Sequence, residues 1–91
     1  MASGTIKKMG LKKIRVVNEP IGGNGFPSTI FLDANYPNAN FVGCICENPN
    51  ITARIVRVGT NTGYIVQFID YNGTFVTAGT VVTYDVFYYD N

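Results

Sequence analysis

The sequence contains no histidine and no tryptophan, and only 14% of its 91 residues are charged. Typical soluble domains are about 25% charged, so this surface is polar but weakly ionic. Histidine is a common general base, and a nucleophilic cysteine lacks its usual partner without it. No pair of acidic residues falls within one motif either. We therefore predict a non-enzymatic protein that needs no cofactor.

Cysteine is scarce as well, because Cys44 and Cys46 are the only two thiols. In an extended strand, two such residues have parallel Cβ vectors and Cα atoms about 7 Å apart, which disfavours a bridge between them. Two thiols without a histidine cannot complete a four-ligand zinc site within one chain. The expected state is a pair of reduced, unreactive thiols and no metal site.

Long apolar runs are also absent, since no stretch approaches the ~20 residues of a membrane helix. The first eight residues contain basic side chains but no apolar core typical of a secretory signal. We therefore expect one small domain that is made in a cytoplasm and has no membrane partner.

The sequence does contain a dense β-strand pattern. Segments rich in Val, Ile, Thr, Tyr and Phe are separated by turns with Gly and Asn, as hairpins require. The predicted strands are residues 11–17, 29–32, 41–46, 51–58, 64–70, 74–77 and 81–89. The pattern predicts no helix, and most connections are short. The expected fold is all-β, either an antiparallel β-sandwich or a jelly-roll-like barrel of about seven strands.

The last predicted strand, residues 81–89, indicates a protein partner. Its even-numbered residues, from Val82 to Tyr88, form a continuous apolar and aromatic face. Its other face also carries aromatic side chains, more than one small core can absorb. We therefore predict a homo-oligomer whose interface includes Val81, Thr83, Phe87 and Tyr89.

Basic residues are concentrated near the start of the chain, where five of them precede the first acid, Glu19. Such a cluster favours one of three roles: a solvated strand edge, a contact with a neighbouring protein, or nucleic-acid binding. The near-neutral total charge disfavours nucleic acid. We predict an extended basic arm at residues 1–10, followed by a single β-domain at residues 11–91. The residues predicted to dock are Lys7, Lys8, Lys12, Lys13 and Arg15.

Two loop tyrosines, Tyr36 and Tyr71, are the candidates for a ligand-stacking role. Together with the glycine-rich loop at residues 22–25, they support an alternative function as a host-surface or glycan-binding module. A second alternative is a single-stranded nucleic-acid binder of the OB type, with residues 7–15 as its basic groove.

The opening residues, Met1-Ala2-Ser3-Gly4-Thr5-Ile6-Lys7-Lys8, resemble the start of small tailed-phage and prophage virion proteins. In that group a short "M-x-x-GTIKK" arm precedes a compact β-domain, which carries a Gly-Tyr near a strand start and ends in alternating Val and aromatic residues. Gly63-Tyr64-Ile65 and residues 82–89 stand in those places here. The resemblance implies a fibre, tail or head-decoration component, located in the virion, that contacts other virion proteins. It also implies self-association, with a trimer among the assemblies it allows.

Overall fold

The computed structural model describes residues 10–90 of the chain. Within these residues there are six strands and no α-helix. A single 3₁₀ turn at Gly23–Gly25 separates the first two strands. The strands are β1 (Leu11–Pro20), β2 (Phe31–Leu32), β3 (Ala39–Cys46), β4 (Ile51–Val58), β5 (Gly63–Asp70) and β6 (Val81–Asp90).

The strands form two antiparallel sheets of three strands each. In the first sheet the order is β1-β6-β3, so β6 lies in the centre and has a partner on both sides. In the second sheet the order is β2-β5-β4. Only β4 and β5 form a hairpin of consecutive strands, since the other connections pass from one sheet to the other.

The core lies between the two sheets, which pack face to face. The rings of Phe68 on β5 and Tyr84 on β6 meet edge to face, with their centroids 4.9 Å apart. Both side chains are fully buried. The inward face predicted for β6 from the period-two pattern is confirmed, because Val82, Tyr84 and Val86 point into the core. Val66 and Phe68 point inward from β5. The whole buried cluster comprises Ile21, Phe31, Cys46, Val66, Phe68, Val76, Val82, Tyr84 and Val86.

Most predicted strands are found in place, but the strand predicted at residues 74–77 is wrong. Only a single bridge, between Phe75 and Ile69, forms there. The backbone instead folds back on the end of β5, where the Val76 N–H donates to the Phe68 carbonyl (3.1 Å). The segment is therefore a crossing connection between the sheets, and the described residues contain six strands instead of about seven.

The first strand is longer than the predicted residues 11–17, because β1 continues to Pro20 through an irregularity in its pairing. Asn18 adopts a positive φ of 54° there, and its N–H donates to the Thr83 hydroxyl (3.1 Å). After β1 the loop turns across the edge of β5 at Gly25, which has a φ of +75°. A Cβ at this position would collide with the Phe68 carbonyl oxygen, so only glycine fits.

Candidate interaction surfaces

The outer face of the first sheet carries the predicted interface residues. Thr83, Phe87 and Tyr89 point away from the core on the central strand β6, and each is half-buried by its neighbours. Val81 begins the strand and is largely exposed. The Thr83 hydroxyl accepts a hydrogen bond from the Asn18 N–H. Thr83 therefore has a local structural role in addition to its place on the outer face.

Further apolar residues, which the sequence pattern did not single out, surround these four. The register places Leu11 of β1 opposite Tyr89, and Ile45 of β3 opposite Asp85. Exposed apolar side chains on this sheet include Leu11, Val17, Val42 and Ile45. The outer face is therefore apolar across three strands. The sequence indicated a strand here from the apolar residues Leu11, Ile14 and Val16, but not its pairing with β6.

Charged side chains lie in the middle of this apolar face. Arg15 donates to both carboxylate oxygens of Asp85 (3.3 and 3.2 Å) and also to Glu47. The hydrogen bond to Glu47 and then the charge of Asp85 raise the pKa of Arg15. Two carboxylates share one guanidinium, so this cluster retains one excess negative charge.

The residues predicted to dock are divided by the structure. Lys7 and Lys8 lie outside the described residues, as does all of the predicted arm except Gly10. Lys12, Lys13 and Arg15 belong to the edge strand β1. Lys12 pairs with Asp90 (3.2 Å), and Arg15 pairs with the two carboxylates described above. Pairing of this kind leaves less charge for a nucleic-acid phosphate.

The two tyrosines predicted to bind a ligand are far apart. Tyr36 lies near the start of β5, where its ring packs edge to face against Phe31 and Tyr88 at centroid distances of 6.0 and 5.8 Å. Tyr71 follows the other end of β5 and is 79% exposed. The length of β5 separates the two by about 20 Å. They therefore do not form one stacking platform.

Tyr36 belongs to an aromatic cluster that closes one end of the core. An arginine caps this cluster, because the guanidinium of Arg57 lies 4.6 Å from the centroid of the Tyr64 ring. Asp33 accepts two hydrogen bonds from Arg57 (2.9 and 2.6 Å), which raise the pKa of Arg57. The rings in the cluster are Phe31, Tyr36, Phe41, Tyr64 and Tyr88.

The outer face of the second sheet has a buried polar residue at its centre. Gln67 of β5 is only 4% exposed. Its carbonyl oxygen accepts from Arg54 Nε (2.8 Å), and its amide donates to the Asn24 carbonyl (2.9 Å). The loop after β1 therefore covers part of this face. Beside the covered part lies an open apolar groove of about 330 Å³ lined by Phe26, Ile30, Val56, Arg57, Val58 and Ile65.

Cys44 and Cys46 are free thiols on the inner face of β3. Burial raises the pKa of Cys44 to about 11, and burial also raises the pKa of Cys46. A thiol with a raised pKa contains little thiolate at neutral pH and reacts slowly. Within residues 10–90, no group of three or more Cys, Asp or Glu side chains is placed to hold a metal ion.

Tyr84 is the other buried group with a shifted pKa. Burial raises the pKa of its phenol to about 12, and the negative charge of Glu19 adds to the shift while the Thr29 hydroxyl opposes it. Its hydroxyl makes no well-formed hydrogen bond within the described part of the chain. Because the ring is enclosed by the core, we assign this residue a packing role.

No family model matches this chain, and neither the curated proteins nor the solved structures provide a significant match. None of the helical structure within residues 10–90 has the length and apolar character that a membrane crossing requires.

Proposed function

We propose that this chain is a non-enzymatic structural domain of a bacteriophage virion that self-associates through the outer face of its first sheet. The observation that carries the proposal is the group of exposed apolar side chains around Phe87 and Tyr89. Clusters of this kind on small domains are typical of protein-protein contacts. The sequence resemblance at residues 1–8 supports a place in the virion, as a fibre, tail or head-decoration component made in a bacterial cytoplasm.

The proposal includes a finer description of the architecture. Of the two folds expected from the sequence, we favour the β-sandwich, because the described strands form two separate sheets with a core between them. The jelly-roll-like barrel stays a prediction. We also retain docking of an N-terminal arm through Lys7 and Lys8 on a neighbouring virion protein.

The apolar outer face extends over several strands, and this extent supports self-association because a single exposed side chain would not form an interface. Leu11 and Tyr89 lie side by side on β1 and β6, and Ile45 lies on β3 at the other edge of the same sheet. A contact on this face would cover all three strands at once. Burial of the exposed apolar side chains would contribute about 25 cal/mol for each Å² removed from water.

Size-exclusion chromatography with light scattering tests the proposal. We expect the wild type at micromolar concentration to elute as a homo-oligomer. Phe87→Ser and Tyr89→Ser should shift it to the monomer while the circular dichroism of the fold is retained. Tyr71→Ser, at an exposed tyrosine outside this face, is the matched control and should leave the mass unchanged. A monomeric wild type would overturn the proposal.

The two alternative functions gain no specific support from the described residues. Tyr36 packs into the aromatic cluster, and its ring contacts other rings in place of presenting a free stacking surface. Lys12 and Arg15 are engaged by carboxylates. Glycan binding and nucleic-acid binding therefore stay predictions from the sequence.

A further inference from the structure

The outer face of the second sheet combines an apolar groove with a fixed positive charge. Val56 lines the groove, and Arg54 lies two residues before it on the same face of β4. Residues two apart on one strand face are separated by about 7 Å. A ligand that fits this face therefore needs an apolar group and a negative group at the same separation.

The positive charge of Arg54 is held in place but is not neutralised. Its guanidinium donates to the neutral amide oxygen of Gln67, which the Asn24 carbonyl fixes in turn. Among residues 10–90, no carboxylate forms an ion pair with Arg54. The neighbouring Arg57 differs, because Asp33 binds it through both oxygens. A guanidinium that is already oriented loses little conformational freedom when it binds an anion.

The outer face of the first sheet carries the complementary pattern. Ile45 of β3 is 62% exposed, and Glu47 follows it by two residues, directly after the end of β3, where its N–H donates to the Thr83 carbonyl. Glu47 and Asp85 share Arg15, so the surface next to Ile45 has one excess negative charge. Lys13 lies farther along the sheet, opposite Phe87. An apolar and an acidic residue thus stand at the spacing that Val56 and Arg54 present on the second sheet.

We infer that the partner of the first sheet's outer face is the groove on the second sheet of another copy. Ile45 enters the groove of that copy, and Glu47 lies against its Arg54. The inference rests on the proposed self-association and specifies its geometry. A contact between two identical first-sheet faces would leave the groove and Arg54 unused, and it would oppose the two acidic clusters wherever the symmetry axis passes through them.

This arrangement is head-to-tail, because each copy uses two different surfaces. Such a contact leaves one unused first-sheet face and one unused groove on every dimer. Addition of further copies therefore produces a ring where the rotation closes and a filament where it does not.

A mixing experiment separates this geometry from a symmetric dimer. Ile45→Asp removes the inserted side chain, and Ile30→Asp places a charge in the groove at a loop residue that is 41% exposed. We expect each variant alone to be monomeric by light scattering. A 1:1 mixture should form a dimer and nothing larger, because only one intact face and one intact groove remain. Tyr71→Asp is the control and should assemble as the wild type does.

Other outcomes overturn the inference in distinguishable ways. If Ile30→Asp assembles as the wild type does, the groove is not used, although self-association through the first sheet still stands. If the mixture stays monomeric while the wild type assembles, the head-to-tail pairing is wrong. A monomeric wild type removes the proposed function itself. Ile30→Ser and Ile45→Ser repeat the test where an aspartate prevents folding.

A charge exchange tests the contact between Glu47 and Arg54. Glu47→Lys and Arg54→Glu should each weaken self-association by at least about tenfold. A mixture of the two should recover binding, because the changed face of one variant matches the changed groove of the other. The recovered binding should weaken at high salt. Equal affinity of the Glu47→Lys variant and the wild type would contradict the contact.

Discussion

The two sheets resemble each other on their inner faces and differ on their outer faces. Both inner faces are apolar and share one core, where Phe68 and Tyr84 are in contact. The outer face of the first sheet exposes apolar side chains around the Arg15 cluster. The outer face of the second sheet has its centre occupied by Gln67 and partly covered by the loop at Asn24. One face is thus open across three strands, whereas the other is partly closed by its own chain.

This difference shows how a small domain can separate stability from association. The residues between the sheets determine whether the chain folds, because burial of apolar surface is the main favourable contribution to the free energy of folding. The open outer face contributes little to that burial. Changes there should therefore affect contacts between copies more than the free energy of unfolding.

The largest expected effect comes from the core. Phe68→Ala removes a fully buried ring and should lower the free energy of unfolding by about 3–5 kcal/mol. Phe87→Ala removes a ring of the same type from the outer face and should cost about 1 kcal/mol. Urea denaturation monitored by circular dichroism measures both. Similar losses for the two variants would mean that Phe87 is also a core residue.

A smaller effect is expected at the partly covered face of the second sheet. Gln67→Leu leaves the Arg54 guanidinium and the Asn24 carbonyl without their partner and should cost about 1–3 kcal/mol in denaturant unfolding. Thr52→Val, at an exposed position on the same face of β4, should stay within about 0.5 kcal/mol. If Gln67→Leu is neutral, the Gln67 amide does not hold the loop at Asn24 in place. The outer face of the second sheet would then be no more closed by its own chain than that of the first sheet.

The smallest effect at neutral pH is expected for Tyr84→Phe. This variant removes a buried hydroxyl without a well-formed hydrogen bond, so we expect no loss, or a gain of up to about 1 kcal/mol. The variant should differ more from the wild type at high pH. The pKa of Tyr84 is raised to about 12, so the folded state keeps a proton that the unfolded chain loses near pH 10.

The sign of this pH dependence follows from linkage. Stability from Tyr84 is fully present below about pH 10 and is lost as the pH rises toward 12, by up to about 3 kcal/mol. Cys44, whose pKa is raised to about 11, adds a loss that starts at lower pH and is common to both proteins. Thermal unfolding at a series of pH values should therefore show a smaller alkaline loss for Tyr84→Phe. Parallel curves for the two proteins would show that Tyr84 does not titrate in this range.

Local pattern was sufficient to predict most of the strands and the inward face of β6. Alternation with period two depends on neighbouring residues, so Tyr84 could be placed on the inward face without knowledge of the sheets. The burial of Gln67, which lies on the opposite face of β5 from Phe68, was not predicted. Gln67 is buried because the loop at Asn24 lies over it, and Asn24 is 43 residues away in sequence. A local pattern contains no information on such a distant contact.

The candidate site could be predicted only in part for the same reason. Phe87 and Tyr89 were identified on β6, but Ile45 and Leu11 join them only through the order of strands in the first sheet. Tyr36 was expected in an open loop, and long-range packing against Tyr88 turned it toward other rings instead. The segment at residues 74–77 has strand composition, but its place between two sheets leaves it a single bridge.

The pairing of β1 with β6 has a consequence for the order in which the domain folds. Lys12 and Asp90 are 78 positions apart in sequence, whereas β4 and β5 are joined by a short turn. Contacts between distant segments carry a larger loop-closure cost and form later than local hairpins. Pulsed hydrogen exchange should therefore protect the β4 and β5 amides before those that join β1 to β6. The face that holds Phe87 among its neighbours would then exist only in a finished domain, so an incomplete chain on the ribosome could not join an assembly by this surface.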